Sequence, residues 1–163
     1  MTKVSPRIST SGGLAREAAI EKLRDHTFFI KCDPHLVSFE AKPSPAWDSY
    51  DLPKGVRPLS PPQVAVYAVK DNYENPIMGS EINSTYEFVA TADGFWVRAR
   101  SPMGTTMEST FTVRAAGDGS GDLEVVQVCD CRCNKALMSI VKKDLDKNYT
   151  LIHETLAQRI GQT

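Results

Sequence analysis

The sequence contains no apolar run approaching the roughly 20 residues that a membrane-spanning helix needs, and its opening stretch "MTKVSPRISTSGG" lacks the apolar centre of a secretory signal. A soluble, cytoplasmic chain without a membrane span is therefore expected. Charge imbalance is absent too. Nineteen Lys plus Arg stand against 20 Asp plus Glu, a formal charge of -1 with no basic face, so a phosphate backbone finds nothing to hold and nucleic acid is excluded as a partner class. No glycine-rich phosphate cradle is present, because "GDGSGD" (117–122) joins two strand-like segments and opens no helix. Gly-x-Ser-x-Gly and His-Glu-x-x-His motifs are also missing. Any activity is thus expected to run without a cofactor or a metal. The four cysteines are read as free thiols rather than a disulfide framework, as a reducing interior implies.

What is present is organised as one domain over 1–163, a length sufficient for one sizeable core. Residues 1–12 read as an N-terminal strand or a flexible arm. In "GLAREAAIEKLRDH", Leu14, Ala18 and Leu23 recur at helical spacing among charges, which predicts a first helix. Pro34 lacks a backbone donor and restricts Asp33 before it, so a short second turn and then a strand from about Leu36 follow. Residues 42–62 carry six prolines yet also Trp47, Tyr50 and Leu52, which predicts a long loop with apolar anchors, lid-like rather than a solvated linker.

From there the period changes to two. "QVAVYAVKD", "SEINSTYEFVAT", "GFWVRAR", "TMESTFTVR" and "DLEVVQVCDCRC" are rich in β-branched and aromatic residues and are separated by turn signals. They predict consecutive antiparallel strands joined mainly by hairpins. Residues 134–160 form the last element: Met138, Val141, Leu145, Tyr149, Ile152 and Leu156 step by three or four, a helix of roughly 40 Å with Asn134 as its N-cap. This order predicts an α+β helix-grip fold, a curved antiparallel sheet wrapped around a long C-terminal helix. A gap where helix and sheet diverge is then a place for an apolar ligand.

Three stretches carry a resemblance: "LRDHTFFIKCDPHLV", "SPMG" (101–104) and "DCRCNKALMSIVKKDLDKNYTLIHETL". They resemble a fungal family of uncharacterised START-like (SRPBCC) helix-grip proteins, in which an Asp-His pair ends the first helix, an Ala-Pro-x-Gly turn follows, and Asp-x-Arg-Cys-Asn runs into a helix with Val-Lys-Lys. The resemblance covers nearly the whole chain from Leu14. It departs at the turn, where Ser101 replaces Ala, and in the proline loop. The wider superfamily holds lipid and sterol carriers and polyketide cyclases, some of them in secondary-metabolite biosynthesis. The resemblance therefore implies a cofactor-independent cyclase acting on a polyketide-type intermediate. The alternative it implies is a non-catalytic carrier of a lipid or other hydrophobic small molecule.

Strand alternation says which side chains would face a ligand. Ser84, Tyr86 and Phe88 share an inward face, as do Val97, then Met107, Ser109 and Phe111, then Gln127, Cys129 and Cys131, with Tyr67 and Val69 joining them. Met138, Val141 and Leu145 face them from the helix. Cyclisation needs a base and a donor at a carbonyl that gains charge. The candidates are His26 with Asp25 to orient it, Asp33, Tyr67 and Tyr86. Each also has a plain structural reading: His26 complements the helix dipole, Asp33 starts a turn, and the tyrosines pack the cavity wall. His153 is placed at the surface or edge of the last helix. Trp96, on the outer face with Arg98 and Arg100, is either a homodimer patch or a ring packed under arginine stems.

"VCDCRCN" (128–134) puts three cysteines on one face of a strand, neighbours about 7 Å apart. Tetrahedral zinc needs ligands converging at about 2.3 Å, and a disulfide needs closer Cα atoms. Cys129 and Cys131 therefore read as cavity wall. Asp130, Arg132, Cys133 and Asn134 match the family motif and read as the anchor of the strand–helix junction.

Overall fold

The computed structural model describes residues 1–73 and 80–162. The chain forms β1 (Thr2–Val4), α1 (Arg16–Arg24), α2 (His26–Ile30), β2 (Leu36–Lys42), β3 (Ala65–Asn72), β4 (Glu81–Thr91), β5 (Gly94–Ser101), β6 (Thr105–Ala115), β7 (Leu123–Arg132) and α3 (Met138–Gly161). The seven strands make one antiparallel sheet in the order β1-β7-β6-β5-β4-β3-β2. From β2 to β7 every neighbour in space is a neighbour in sequence; short turns join β4 to β5, β5 to β6 and β6 to β7, while the proline-rich segment joins β2 to β3. Residues 2–4, read as strand or arm, are a strand that closes the meander by pairing with β7. This curved sheet with its C-terminal helix is consistent with the helix-grip arrangement.

The inner face carries the alternation read from the sequence. Phe88, Phe95 and Phe111 are almost wholly buried and pack edge-on against Phe29 of α2, with centroids 4.8–5.9 Å away. The last turns of α3 complete this core through Ile152, Leu156, Ala157 and Ile160, with Leu156 and Ile160 at 0% exposure. Burial of an aliphatic side chain of this size contributes about 1.5–3 kcal/mol. The first half of α3 is different: Met138 is exposed and no residue from 138 to 149 is fully buried. That half is held off the sheet, while the second half is docked into it.

One expectation about the outer face needs correction, and one open alternative is decided. The proline-rich segment 42–62 does not lie over the cavity. Its Trp47, Tyr50, Leu52 and Val56 pack on the opposite face of the sheet, around buried Val64, Val89 and Trp96. Trp96 is 2% exposed and lies beneath Tyr50 and the Arg98 guanidinium, the latter 4.9 Å from its ring, so it offers no dimer patch. The physical reason is parity. Val89 and Trp96 are paired across β4 and β5 and leave an apolar strip on the convex side that a chain segment must cover. The helix predicted over 134–160 starts at Met138. Asn134 accepts from the Ala136 amide (3.0 Å) and forms a turn leading into the helix instead of capping it.

Candidate functional site

Two adjoining chambers lie between the sheet and the helices. The inner one, a tight space of about 30 Å³, lies between the sheet and α2/α3 and is lined by Phe29, Ile30, Asp33, Val69, Asp71, Tyr86, Val97, Ala99, Met107, Ser109, Phe111, Tyr149 and Ile152. The outer one, about 100 Å³, opens between β3–β6 and α3 and is lined by Tyr73, Ile82, Ser84, Ser101, Thr105, Val141, Asp144, Leu145 and Asn148. Asp71, Tyr86 and Met107 border both.

Asp71 is the unusual group. It is 2% exposed, and its Oδ1 has no hydrogen-bond partner among the described residues. Burial, reinforced by the negative charge of Asp33, pushes its carboxyl from the ordinary 3.8 up to about 7. Asp33 is held from two sides: its Oδ1 accepts from the His35 amide (2.8 Å) and its Oδ2 from the Tyr73 hydroxyl (3.1 Å). The turn reading of Asp33 therefore holds, and the same residue also borders the inner chamber. His35 packs against Tyr73 with the rings tilted and centroids 4.4 Å apart, and meets Asn148 of α3 at 3.1 Å, tying the helix to the cavity rim. Burial raises the phenols of Tyr73 and Tyr86, with Asp33 next for Tyr73 and Asp71 next for Tyr86, so both stay protonated donors.

Asp71 was missed in the sequence although its signal was there. Tyr67 and Val69 were placed inward, and one more alternation along β3 brings Asp71 to the same face.

The Asp25–His26 pair is not assembled. Asp25 Oδ1 accepts from the Thr27 amide (3.0 Å), the Thr27 hydroxyl (2.8 Å) and the Phe28 amide (3.2 Å), so it caps α2. His26 instead stacks on Phe88 at 4.5 Å with Nε2 buried and unpartnered among the described residues, and burial lowers its pKa. Tyr67 packs edge-on to Phe88 and His26 and borders neither chamber. Asp25→Ala is expected to cost about 1 kcal/mol in urea denaturation and to leave ligand affinity unchanged, as a cap and not a cavity group should.

Among the predicted cavity residues, Val97, Ser109 and Phe111 line the inner chamber and Ser84, Val141 and Leu145 the outer one. Met107 lines both. Ser84 shares a hydrogen bond (2.9 Å) with Ser101, the residue that departs from the resembled turn. Phe88 and Gln127 lie behind the walls, fully buried. Cys129, Cys131 and Met138 border a separate groove with Met1, Lys142 and Leu145 on the other flank of α3. The helix crosses above the sheet, so inward residues on its two sides open into different spaces, which alternation alone does not distinguish. Burial, with Cys133 beside it, pushes the Cys131 thiol up to about 11, which disfavours the reactive thiolate. Arg132, at the strand–helix junction, pairs with Glu108 (2.9 Å) and Asp130 (3.3 Å).

His153 is a further correction. It is 1% exposed, with Nε2 2.9 Å from Gln127 Oε1. The helical stripe through Tyr149, Leu156 and Ile160 already passes over it, but its polarity argued for the edge.

Together the fold and the site define an α+β protein with a partly apolar cavity between a curved antiparallel sheet and its C-terminal helix, a buried acid at the junction of two chambers. The chain belongs to the family described as a domain of unknown function, DUF7053, matched over residues 7–162. No curated protein matches the sequence. Among solved structures, it is similar to a conserved protein from Geobacillus kaustophilus, at TM-score 0.63 and 9% identity, covering 99% of this chain and 95% of that one. It is also similar to a protein from Thermus thermophilus, at TM-score 0.55 and 14% identity, covering 98% and 94% respectively. At these identities the likeness concerns the fold alone. No described helix is long and apolar enough to cross a membrane.

Proposed function

We propose that the protein is a cofactor-independent cyclase acting on a hydrophobic polyketide-type intermediate, with Asp71 as its base. The observation that carries the reading is Asp71 itself: a buried carboxyl, unpartnered at Oδ1 among the described residues and with its pKa near 7, at the junction of two largely apolar chambers. The START-like resemblance of the closing motif supports the same reading and sets it in fungal secondary metabolism, in the cytoplasm. In the reaction, the Asp71 carboxylate removes a proton from a carbon next to a carbonyl. The resulting enolate carbon attacks a second carbonyl of the same chain, and the new alkoxide takes a proton. Loss of water then yields the ring. Tyr86, kept protonated by burial, donates to oxygen as charge develops, and the chambers fold the chain so that the reacting carbons meet.

A suitable surrogate is 1-phenylhexane-1,3,5-trione, whose aldol closure and dehydration give 5-phenylresorcinol. The protein is expected to accelerate that closure over buffer, with the rate rising as pH passes through about 7. If the trione binds, as seen by native mass spectrometry, but rate and product pattern equal those in buffer, the protein is a carrier of hydrophobic molecules and the cyclase reading fails.

A further inference from the structure

A chain of polar side chains is buried in the apolar core beneath the inner chamber, outside the acid cluster. His153, Gln127 and Ser109 are 1%, 1% and 2% exposed. Gln127 donates from Nε2 to Ser109 Oγ at 3.1 Å and accepts on Oε1 from His153 Nε2 at 2.9 Å. An amide oxygen only accepts, so this arrangement requires the His153 proton on Nε2 and leaves Nδ1 bare, buried and without a partner among the described residues. Burial lowers the imidazole to about 4, with Lys3 adding to it, so it stays neutral. Once Ser109 Oγ has accepted from Gln127, its own hydrogen is left to give. The Tyr149 hydroxyl lies next to it, close to the Cys129 thiol, Ser109 and Gln127. Tyr149 in turn points its proton at the thioether of Met107, 3.7 Å away.

That last contact ends the chain poorly. The two sulfurs beside the hydroxyl, the Met107 thioether and the Cys129 thiol, are both weak acceptors, whereas burying each polar group in this chain costs free energy unless it is well bonded. The structure thus aligns a phenol donor, at the wall of the inner chamber, against a group that hardly accepts. We infer that Tyr149 is the donor that holds a carbonyl oxygen of the ligand in the inner chamber, with His153, Gln127 and Ser109 fixing its direction. The ligand class follows from the same wall. Among the described residues no Lys, Arg or His lines the inner chamber, and Asp33 and Asp71 both do, so an anionic oxygen is repelled and a neutral ketone on an apolar body is accepted. The inference deepens the proposed function and rests on it for the cavity. It adds an orientation, with the ketone oxygen at Tyr149 and the ionisable C–H toward Asp71.

The test uses the full chain and two probes of equal shape, acetophenone labelled with ¹³C at the carbonyl and isopropenylbenzene, in which a CH₂ group replaces the oxygen. On binding to the native protein the carbonyl resonance is expected to move downfield of its position in an apolar solvent. Tyr149→Phe should weaken acetophenone about tenfold, leave isopropenylbenzene unchanged and return the resonance to its apolar position. Met107→Leu removes the competing sulfur without touching the donor and should strengthen acetophenone alone. Equal effects of Tyr149→Phe on both probes, or an unshifted carbonyl in the native protein, overturn the Tyr149 assignment and leave the cavity reading standing. Failure of both probes to bind overturns the cavity reading along with it.

Discussion

Gly94→Ala is expected to destabilise the fold by about 3–5 kcal/mol, lowering the melting temperature by roughly 10 °C or more for a chain of this size. Gly94 opens β5 beside Thr112 of β6, and an added Cβ would run into the Phe111 carbonyl oxygen, with the Leu23 side chain 3.1 Å away on the other side. The obstructing atom is backbone, held in the β5–β6 ladder and next to the Phe95–Phe111 stack at 4.9 Å. It cannot turn aside as a flexible side chain would. Relief therefore means shifting a central strand, together with the aromatic core and the inner chamber wall that includes Phe111. Gly117→Ala, in open space in the β6–β7 turn, is the control and should shift the melting temperature by no more than about a degree or two. Equal melting temperatures for the two variants would refute the steric account.

Asp71→Asn is expected to stabilise the protein at pH 8 while abolishing most of its activity. The sign follows from linkage. The folded-state pKa of Asp71 is raised from 3.8 to about 7, so the stability it contributes as a neutral acid is fully present below about pH 3.8 and is lost as pH rises through about 7. Above that, ionisation of the buried carboxyl costs the native protein roughly 3–4 kcal/mol, which the neutral amide avoids. The difference in urea midpoint between the native protein and the Asp71→Asn variant should therefore be small at pH 4 and grow to its full size by pH 8. His153 acts in the opposite direction. Its pKa is lowered from 6.5 to about 4, so about 3 kcal/mol of stability is present above pH 6.5 and lost as pH falls towards 4. In the native protein the two contributions oppose each other between pH 4 and 6.5, and the Asp71→Asn variant should expose the His153 slope. For the surrogate trione, Asp71→Asn should lower kcat by about a hundredfold or more, the usual size of a lost general base. A variant that is less stable at pH 8, or as active as the native protein, would remove Asp71 from the role of base. Stability gained at the expense of activity is what a site holding an unsolvated acid predicts.

Period and turn chemistry were enough to order the strands. The runs from Val64 to Arg132 alternate because one face of each is buried, and residues such as Ala92–Gly94 and Gly117–Asp122 leave hairpins as the short connections. The same alternation put Ser84, Val97, Met107, Ser109 and Phe111 on the inner face, because parity is a local property of extended backbone. The α3 stripe was legible for the same reason at period 3.6, down to Leu156.

Tertiary structure decided the rest. Whether an inward residue becomes core, cavity or outer groove depends on where α3 crosses the sheet, so Phe88 joined the core while Cys129 and Met138 went to the far flank. The destination of the proline-rich segment depended on which face offered an uncovered apolar strip, and that strip exists only once β4 and β5 are paired. Most of all, the chemistry of an ionisable group is set by its surroundings rather than its identity. Asp25, next to His26 in sequence, became a helix cap. Asp71, near the end of a strand, was drawn out of water by the packing around it and raised further by the charge of Asp33, a residue far from it along the chain, and His153 found its partner on β7. Sequence determined which faces would be apolar; only the docking of α3 and α2 onto the sheet determined which polar groups those faces would enclose, because desolvation is a property of everything packed around a group at once.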